Sequence, residues 1–319
     1  MILKKREVPL QLLKLEALKR RLPYKHPKRS LVEENLARSK AGFKGEQSIE
    51  YPLSFLSNGE NYILHDIRLF DGQHYFQIDT IVLTPTVIVM IEVKNISGTV
   101  IFDSEYNQII RIKNGKEEAF SDPIVQSEYH LQQLRAWLEY NRFPKIPIEY
   151  LIVISNPHTL IKSSSTHIES RVIHSATIPK KIDALKKQFT KKYFTKELKI
   201  KLSQKLITNH EPLNINILKY FQISLEDIVK GVICEKCDSL PMKRIKGKWR
   251  CSNCGGISKN AHISSLNDYF LLIRPTITNR ELRDFLCLPS RFIATSLLRS
   301  LDFQSSGERK SRKYQLVLK

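Results

Sequence analysis

The sequence predicts an α/β protein: a mixed sheet flanked by helices, then a small metal-stapled ribbon, then a C-terminal pair of helices with a β-wing. Three observations carry this. Residues 76–95 hold two adjacent β-branched runs, FQIDTIVLTP and TVIVMIEVKN, parted by Thr84-Pro85-Thr86, which read as neighbouring strands. Four cysteines form two close pairs, Cys234/Cys237 and Cys251/Cys254. Beyond residue 275, two amphipathic stretches precede a basic, glycine-containing hairpin.

The elements follow in chain order. Residues 1–35 form a basic helical arm ending in the break PYKHP, read as a solvated or docking segment. The central domain spans 36–178. It opens with a helix over 31–57, where Leu36, Ile49, Leu53 and Phe55 supply apolar positions and Gly42 and Gly45 interrupt the pattern. YILHDIRLF (62–70) is a strand, and Asp71-Gly72 turns the chain into the next. A short strand fits 99–103, and Asn114-Gly115 is a hairpin turn. Asp122-Pro123 starts a helix running to about residue 141, with Asp as cap and Pro in the first turn. IEYLIVIS (148–155) reads as a buried strand. Residues 179–230 are read as a Lys-rich helical linker, 231–260 as the ribbon and 261–319 as the final domain.

The 319-residue chain is 41% hydrophobic and carries a net charge of +20. The charge is unevenly placed: +8 over residues 1–40, −5 over 41–179, +7 over 180–230 and +10 over 231–319. An acidic centre suits metal cations, and basic flanks suit a polyanion. No apolar stretch is long enough to span a membrane, and the N-terminus lacks a secretory cleavage pattern. Paired cysteines argue for metal over disulfides. The expected compartment is the cytoplasm.

Charged groups inside apolar strands are costly, so Asp79, Glu92 and Lys94 mark a site. Glu92 and Lys94 are two apart and share a strand face. Asp79, Glu92 and the Val93 carbonyl can hold a hard divalent cation, with Lys94 beside it to stabilise developing negative charge. Gln77, two before Asp79, faces the same side. His65 and Asp66 face opposite sides, so one of them borders the site.

The segments GFKGEQSIEYPL (42–53), YILHDIRL (62–69), FQIDTIVLTPTVIVMIEVKNISGTV (76–100) and DPIVQSEYHLQQL (122–134) resemble the nuclease-related domain, NERD, of the PD-(D/E)xK restriction-endonuclease-like superfamily. The resemblance covers about residues 40–155. It implies a restriction-endonuclease-like mixed sheet with Mg2+ or Mn2+ on Asp79 and Glu92, Lys94 as the core lysine and Glu46 as the first-helix accessory acid. Gln126 fits the glutamine some relatives carry on the following helix; the aromatic often found four residues later is here His130. Ile78 stands where the motif usually has Pro.

The two cysteine pairs, with a 13-residue spacer holding KRIKGKWR, are expected to fold as a zinc ribbon in which Cys234, Cys237, Cys251 and Cys254 hold structural Zn2+. Cys287 is expected in the core of a helix. In the tail, Thr278 caps NRELRDFL and Ser290 caps RFIATSLLRSL, and with the basic hairpin this resembles a winged helix-turn-helix. Arg291, Thr295 and Arg299 are the candidate base readers, and Arg309, Lys310, Arg312 and Lys313 the wing's phosphate contacts. The sequence therefore predicts a metal-dependent deoxyribonuclease with DNA as partner; the alternative is a non-catalytic DNA-binding protein or transcriptional regulator that keeps the nuclease-like core as scaffold.

Overall fold

The computed structural model describes residues 1–56, 59–163, 166–308 and 312–318. The chain divides into two compact units, Met1–Val8 with Ser39–Leu213 and Pro9–Arg38 with Asn214–Lys319. It opens with strand β1 (Ile2–Lys4), then helices α1 (Leu10–Arg21), α2 (Arg29–Ser48) and α3 (Glu50–Ser54). Strands β2 (Tyr62–Phe70), β3 (Tyr75–Leu83) and β4 (Ile88–Lys94) follow, then β5 (Thr99–Asp103), β6 (Gln108–Lys113) and β7 (Lys116–Ser121). After helix α4 (Pro123–Tyr140) come β8 (Ile148–Ile154), β9 (Leu160–Ser163), α5 (Thr166–Arg171) and β10 (Val172–His174). Helices α6 (Ile178–Gln188) and α7 (Lys196–Thr208) complete the first unit.

The first unit is built on a mixed six-stranded sheet of order β1-β2-β3-β4-β8-β10. The meander β2-β3-β4 is antiparallel, while β8 lies parallel to β4 and β10 parallel to β8. Strands alternate apolar side chains to two faces, and both are covered. On one, Leu64, Ile81, Met90 and Ile152 pack with Leu134 and Trp137 of α4 and Leu202 and Leu206 of α7. On the other, Ile63, Val89, Ile91 and Val153 pack with Leu53 of α3 and Ile182 and Leu185 of α6. A second sheet, β7-β6-β5-β9, adds Val100, Phe102 and Ile109 to the first core. Its β6–β7 turn places Asn114 and Gly115 at φ 53° and 74°, the double left-handed geometry such dipeptides favour. The Lys-rich stretch expected as a linker is instead α6 and α7, whose apolar residues belong to these two cores.

The N-terminus also differs from the helical arm expected of it. Ile2–Lys4 is an edge strand parallel to β2, and the Ile63 N–H donates to the Met1 carbonyl at 3.0 Å. Its short apolar pair Ile2-Leu3 precedes Pro9, which separates strand from helix.

The face alternation of β2 and β3 slips by one at matched positions. Tyr62 and Leu64, then Ile67 and Leu69, share a core; so do Phe76 and Ile78, then Ile81 and Leu83. The register stays constant on both sides, His65 with Thr80 and Ile67 with Ile78. Asp66 takes the slip with a left-handed φ of 52°, a conformation Asp tolerates better than most residues.

The second unit holds α8 (Ile217–Phe221), β11 (Lys243–Ile245), β12 (Lys248–Arg250), β13 (Ile257–Ser258), α9 (Ala261–Leu272), β14 (Thr276–Thr278), α10 (Asn279–Phe285), α11 (Arg291–Ser300), β15 (Ser305–Ser306) and β16 (Lys313–Gln315). Strands β11-β12-β13 form one small sheet and β14-β16-β15 another. Thr278 and Ser290 cap α10 and α11 through their hydroxyls, and Thr278 with Glu281 makes a full capping box. Helix α1 is a core element: Leu12, Leu15, Ala17 and Leu18 are buried. Cys287, expected in a helical core, is exposed at φ 53° just past the end of α10.

Candidate active site and nucleic-acid interface

Asp79 stands where the β3–β4 ladder stops. Pairing runs from Leu83 opposite Ile88 to Thr80 opposite Ile91, so Asp79 and Glu92 are the next residues across. The Ile88 N–H bonds to the Pro147 carbonyl, and the Lys94 carbonyl accepts from Ser155. The even residues of β4 thus pair toward β8 and the odd ones toward β3. Val93 turns its backbone groups into the fork that opens between β3 and β4. There its N–H donates to Asp79 Oδ2 at 2.8 Å, and its carbonyl points the same way.

Lys94 Nζ donates to Glu92 Oε1 at 2.7 Å and to Gln126 Oε1 at 3.3 Å. Gln126 is presented by the first turns of α4, which Asp122 caps by accepting from the Ile124 N–H at 2.7 Å. One turn on, His130 lies 6.1 Å from the Phe76 ring. Burial pushes its imidazole pKa down, while Glu92 pulls it up and Lys94 pushes it down. Tyr129 is exposed.

Glu46 arrives from α2 because Gly45 lets that helix approach the sheet. A Cβ at Gly45 would lie 2.5 Å from Asn95 Cβ and 2.9 Å from Ser155 Oγ, so a larger residue would push α2 away. Asn95 secures the contact by donating to the Ala41 carbonyl at 2.7 Å.

Arg6, just past β1, is the residue the sequence reading missed. Its side chain is 1% exposed. Nη1 donates to Glu46 Oε2 at 2.6 Å and Asp66 Oδ1 at 2.9 Å, and Nη2 donates to Thr80 Oγ1 at 3.0 Å. Nη2 also stands 3.1 Å from His65 Nδ1 and 3.4 Å from the Asp79 carbonyl. His65 and Asp66, expected on opposite sides, both reach this guanidinium because Asp66 carries the face slip. The missed signal is the Ile2-Lys4-Arg6 alternation, which the KKR charge run hides. Gln77 is exposed on β3, opposite Arg68.

These carboxylates carry more negative charge than their partners offset. Burial, then Glu92 and Glu46, drive the Asp79 pKa well up. Burial raises Glu46 to about 7, with Asp66 and Glu92 adding to the rise against the pull of Arg6. Hard oxygens with unbalanced charge fit a Mg2+- or Mn2+-like cation. The side chains that fit it are Asp79 and Glu92, with the Val93 carbonyl between them.

The second unit holds a different kind of candidate metal site. Cys234, Cys237, Cys251 and Cys254 place their sulfurs within 4.8 Å of one another, the tetrahedral thiolate set that suits Zn2+. Among the described residues this is the one group of three or more thiols, imidazoles or carboxylates that converges so tightly. Trp249, 1% exposed, lies on β12 two residues before Cys251, and its Nε1 donates to His262 Nδ1 at 3.2 Å.

A separate basic groove of about 660 Å³ is lined by Arg280 and Arg283 of α10, Arg291 and Thr295 of α11, and Arg312 and Tyr314. Asn279 Nδ2 donates to Thr295 Oγ1 at 3.0 Å. Arg299 lies further along the exposed side of α11, and Lys313 is exposed on β16. Arg280 and Arg283, three apart on α10, were not among the expected contacts. Arg309 and Lys310 lie outside the described residues.

Residues 41–155 match the family described as the nuclease-related domain, NERD, a little over a third of the chain. No curated protein and no solved structure matches. No helix among the described residues is long and apolar enough to cross a membrane.

Proposed function

We propose that this chain is a Mg2+- or Mn2+-dependent deoxyribonuclease of the PD-(D/E)xK type, hydrolysing phosphodiester bonds. A zinc ribbon and a winged-helix tail help it grip DNA. The observation that carries the reading is the fork at Asp79, where a carboxylate replaces a strand partner, takes the Val93 N–H and sits opposite the Glu92–Lys94 pair. The nuclease-related match over the same residues supports it.

Asp79, Glu92 and the Val93 carbonyl would hold the cation, which supplies Lewis-acid activation of water and charge neutralisation at phosphorus. Glu92 also orients Lys94 through their 2.7 Å contact. The ammonium donates toward charge that grows on the phosphoryl oxygens, and Gln126 holds it from the other side. Glu46, fixed by Arg6, accepts a proton or hydrogen bond from water at the edge of the site.

Helix α9, β14, α10, α11, β15 and β16, with sheet order β14-β16-β15, have the sequence of elements of a winged helix, and its arginine groove has the charge for a phosphate backbone. Arg291, Thr295 and Arg299 are the proposed readers in a B-form major groove, a shape that favours DNA over RNA. Arg309, Lys310, Arg312 and Lys313 are the proposed phosphate contacts of the wing.

The test is plasmid nicking with Mn2+ by wild type, Asp79→Ala and Lys94→Ala. Each variant is expected to lose on the order of 10²–10³ in rate while still binding DNA. Equal cleavage by all three rejects the site; DNA binding with no cleavage by any of them favours the non-catalytic regulator.

A further inference from the structure

We propose that the Arg6 guanidinium occupies the position a second metal ion would need, so that the catalytic site takes one divalent cation per chain. The inference rests on the metal-dependent reading above and sets its stoichiometry. Two-metal sites bridge their ions with shared carboxylates about 3.5–4 Å apart. Here the carboxylates available for a second ion, beyond Asp79 and Glu92, are Glu46 and Asp66. Both are already bridged by one nitrogen: Arg6 Nη1 lies 2.6 Å from Glu46 Oε2 and 2.9 Å from Asp66 Oδ1.

That nitrogen is held in place. The Nη2 of the same head donates to Thr80 Oγ1 at 3.0 Å and reaches toward His65 Nδ1 and the Asp79 carbonyl. The side chain is 1% exposed. A guanidinium does not lose its proton in a protein, so an ion at Glu46 and Asp66 would have to expel a buried cation or sit against it. No third carboxylate or imidazole among the described residues converges within 4.8 Å to complete a larger acidic cage.

The charge balance agrees. With all four acids ionised, Glu46, Asp66, Asp79 and Glu92 face Arg6 and Lys94, which leaves two negative charges. Lys4 and Glu7, next around Asp66, cancel each other. Glu50, 3.9 Å from Arg6 Nε, is half exposed and screened by water. One divalent ion closes the balance; two would overfill it.

The experiment counts Mn2+ by electron paramagnetic resonance on the zinc-loaded full-length protein, with binding followed by calorimetry. Wild type is expected to bind one Mn2+, Arg6→Lys one and Arg6→Gln two. Glu46→Gln is expected to keep one, with affinity changed by less than about threefold. Two ions on wild type, one on Arg6→Gln, or none on Glu46→Gln overturns the assignment. If Arg6→Gln does not fold, the wild-type and Glu46→Gln counts decide. No Mn2+ on wild type instead removes the metal-dependent reading beneath it.

Discussion

Asp79, partly buried in the first unit, and Asp268, fully buried in the second, are treated in opposite ways. Asp268, on α9, is fully buried, yet each oxygen has its own cation: Arg20 Nη2 at 2.6 Å on Oδ1 and Arg21 Nε at 2.8 Å on Oδ2. Arg21, itself 0% exposed, also donates to the Gly231 carbonyl at 2.7 Å and lies 4.6 Å from the Phe285 ring. The acid is over-supplied with partners and ties α1 to α9. Asp79 receives a single backbone N–H and faces two more carboxylates. A compensated buried charge fixes a fold; an under-compensated one is a place for something to bind.

The same contrast holds for the two candidate metal sites. Four protein sulfurs would fill a coordination shell at the cysteine cluster and leave no open position, so a metal there would be part of the fold, whereas the acidic fork offers only part of a shell. The largest expected effect is therefore on chelation. Structural zinc in small ribbons contributes on the order of 10–16 kcal/mol of apparent binding free energy. In a Trp137→Phe background, a strong chelator is expected to red-shift the emission of Trp249, while removing Mg2+ or Mn2+ alone leaves it unchanged. An unshifted Trp249 after all four thiols have become reactive would show that this ribbon folds without metal.

Truncating the two acids sharpens the comparison. Asp268→Ala leaves Arg21 buried without its main partner and is expected to destabilise the second unit by about 3–5 kcal/mol. Asp79→Ala removes a charge that burial already penalises, and is expected to stay within about 1 kcal/mol of wild type, the lost Val93 hydrogen bond offsetting part of the gain. Urea unfolding of both variants reads this. Equal destabilisation by the two would erase the distinction between a structural and a functional acid.

How much of this was legible depended on the range of the interaction. The two-residue step from Glu92 to Lys94 fixes a shared strand face, and the ends of α4, α10 and α11 follow from Asp122, Thr278 and Ser290 acting on backbone within a few residues. Arg6 and Arg21 were illegible for the opposite reason. Arg6 meets partners 40 to 74 residues away, and only the sheet order that sets β1 beside β2 brings them together. Arg21 meets Asp268 across 247 residues. In the sequence both arginines sit in charge runs that look solvated. The lysines of α6 and α7 had the same effect, masking Ile182, Leu185, Leu202 and Leu206, which decide where those helices pack. Cys287 misled in the other direction: its apolar neighbours suggested burial, but one left-handed residue past α10 turns it outward.

The smallest effect is on pH dependence, and it probes the uncompensated side directly. Glu46 holds its proton to about 7 in the folded protein, against an ordinary value of 4.5, chiefly through burial. The native state then binds more protons than the unfolded chain between these values, so this group's contribution is complete below about 4.5 and is lost as pH rises through about 7. At about 1.4 kcal/mol per pH unit the loss is at most about 3.5 kcal/mol. His65 opposes it, since burial pushes its imidazole down to about 3 from 6.5, and its contribution is lost on acidification. Comparing wild type with Glu46→Gln cancels the histidine. The stability of wild type relative to the variant is expected to fall between pH 5 and pH 8 in the absence of divalent metal. A difference that stays level without metal would mean that Arg6 compensates Glu46 as fully as Arg20 and Arg21 compensate Asp268, and the contrast between the two units would narrow to Asp79 and Glu92.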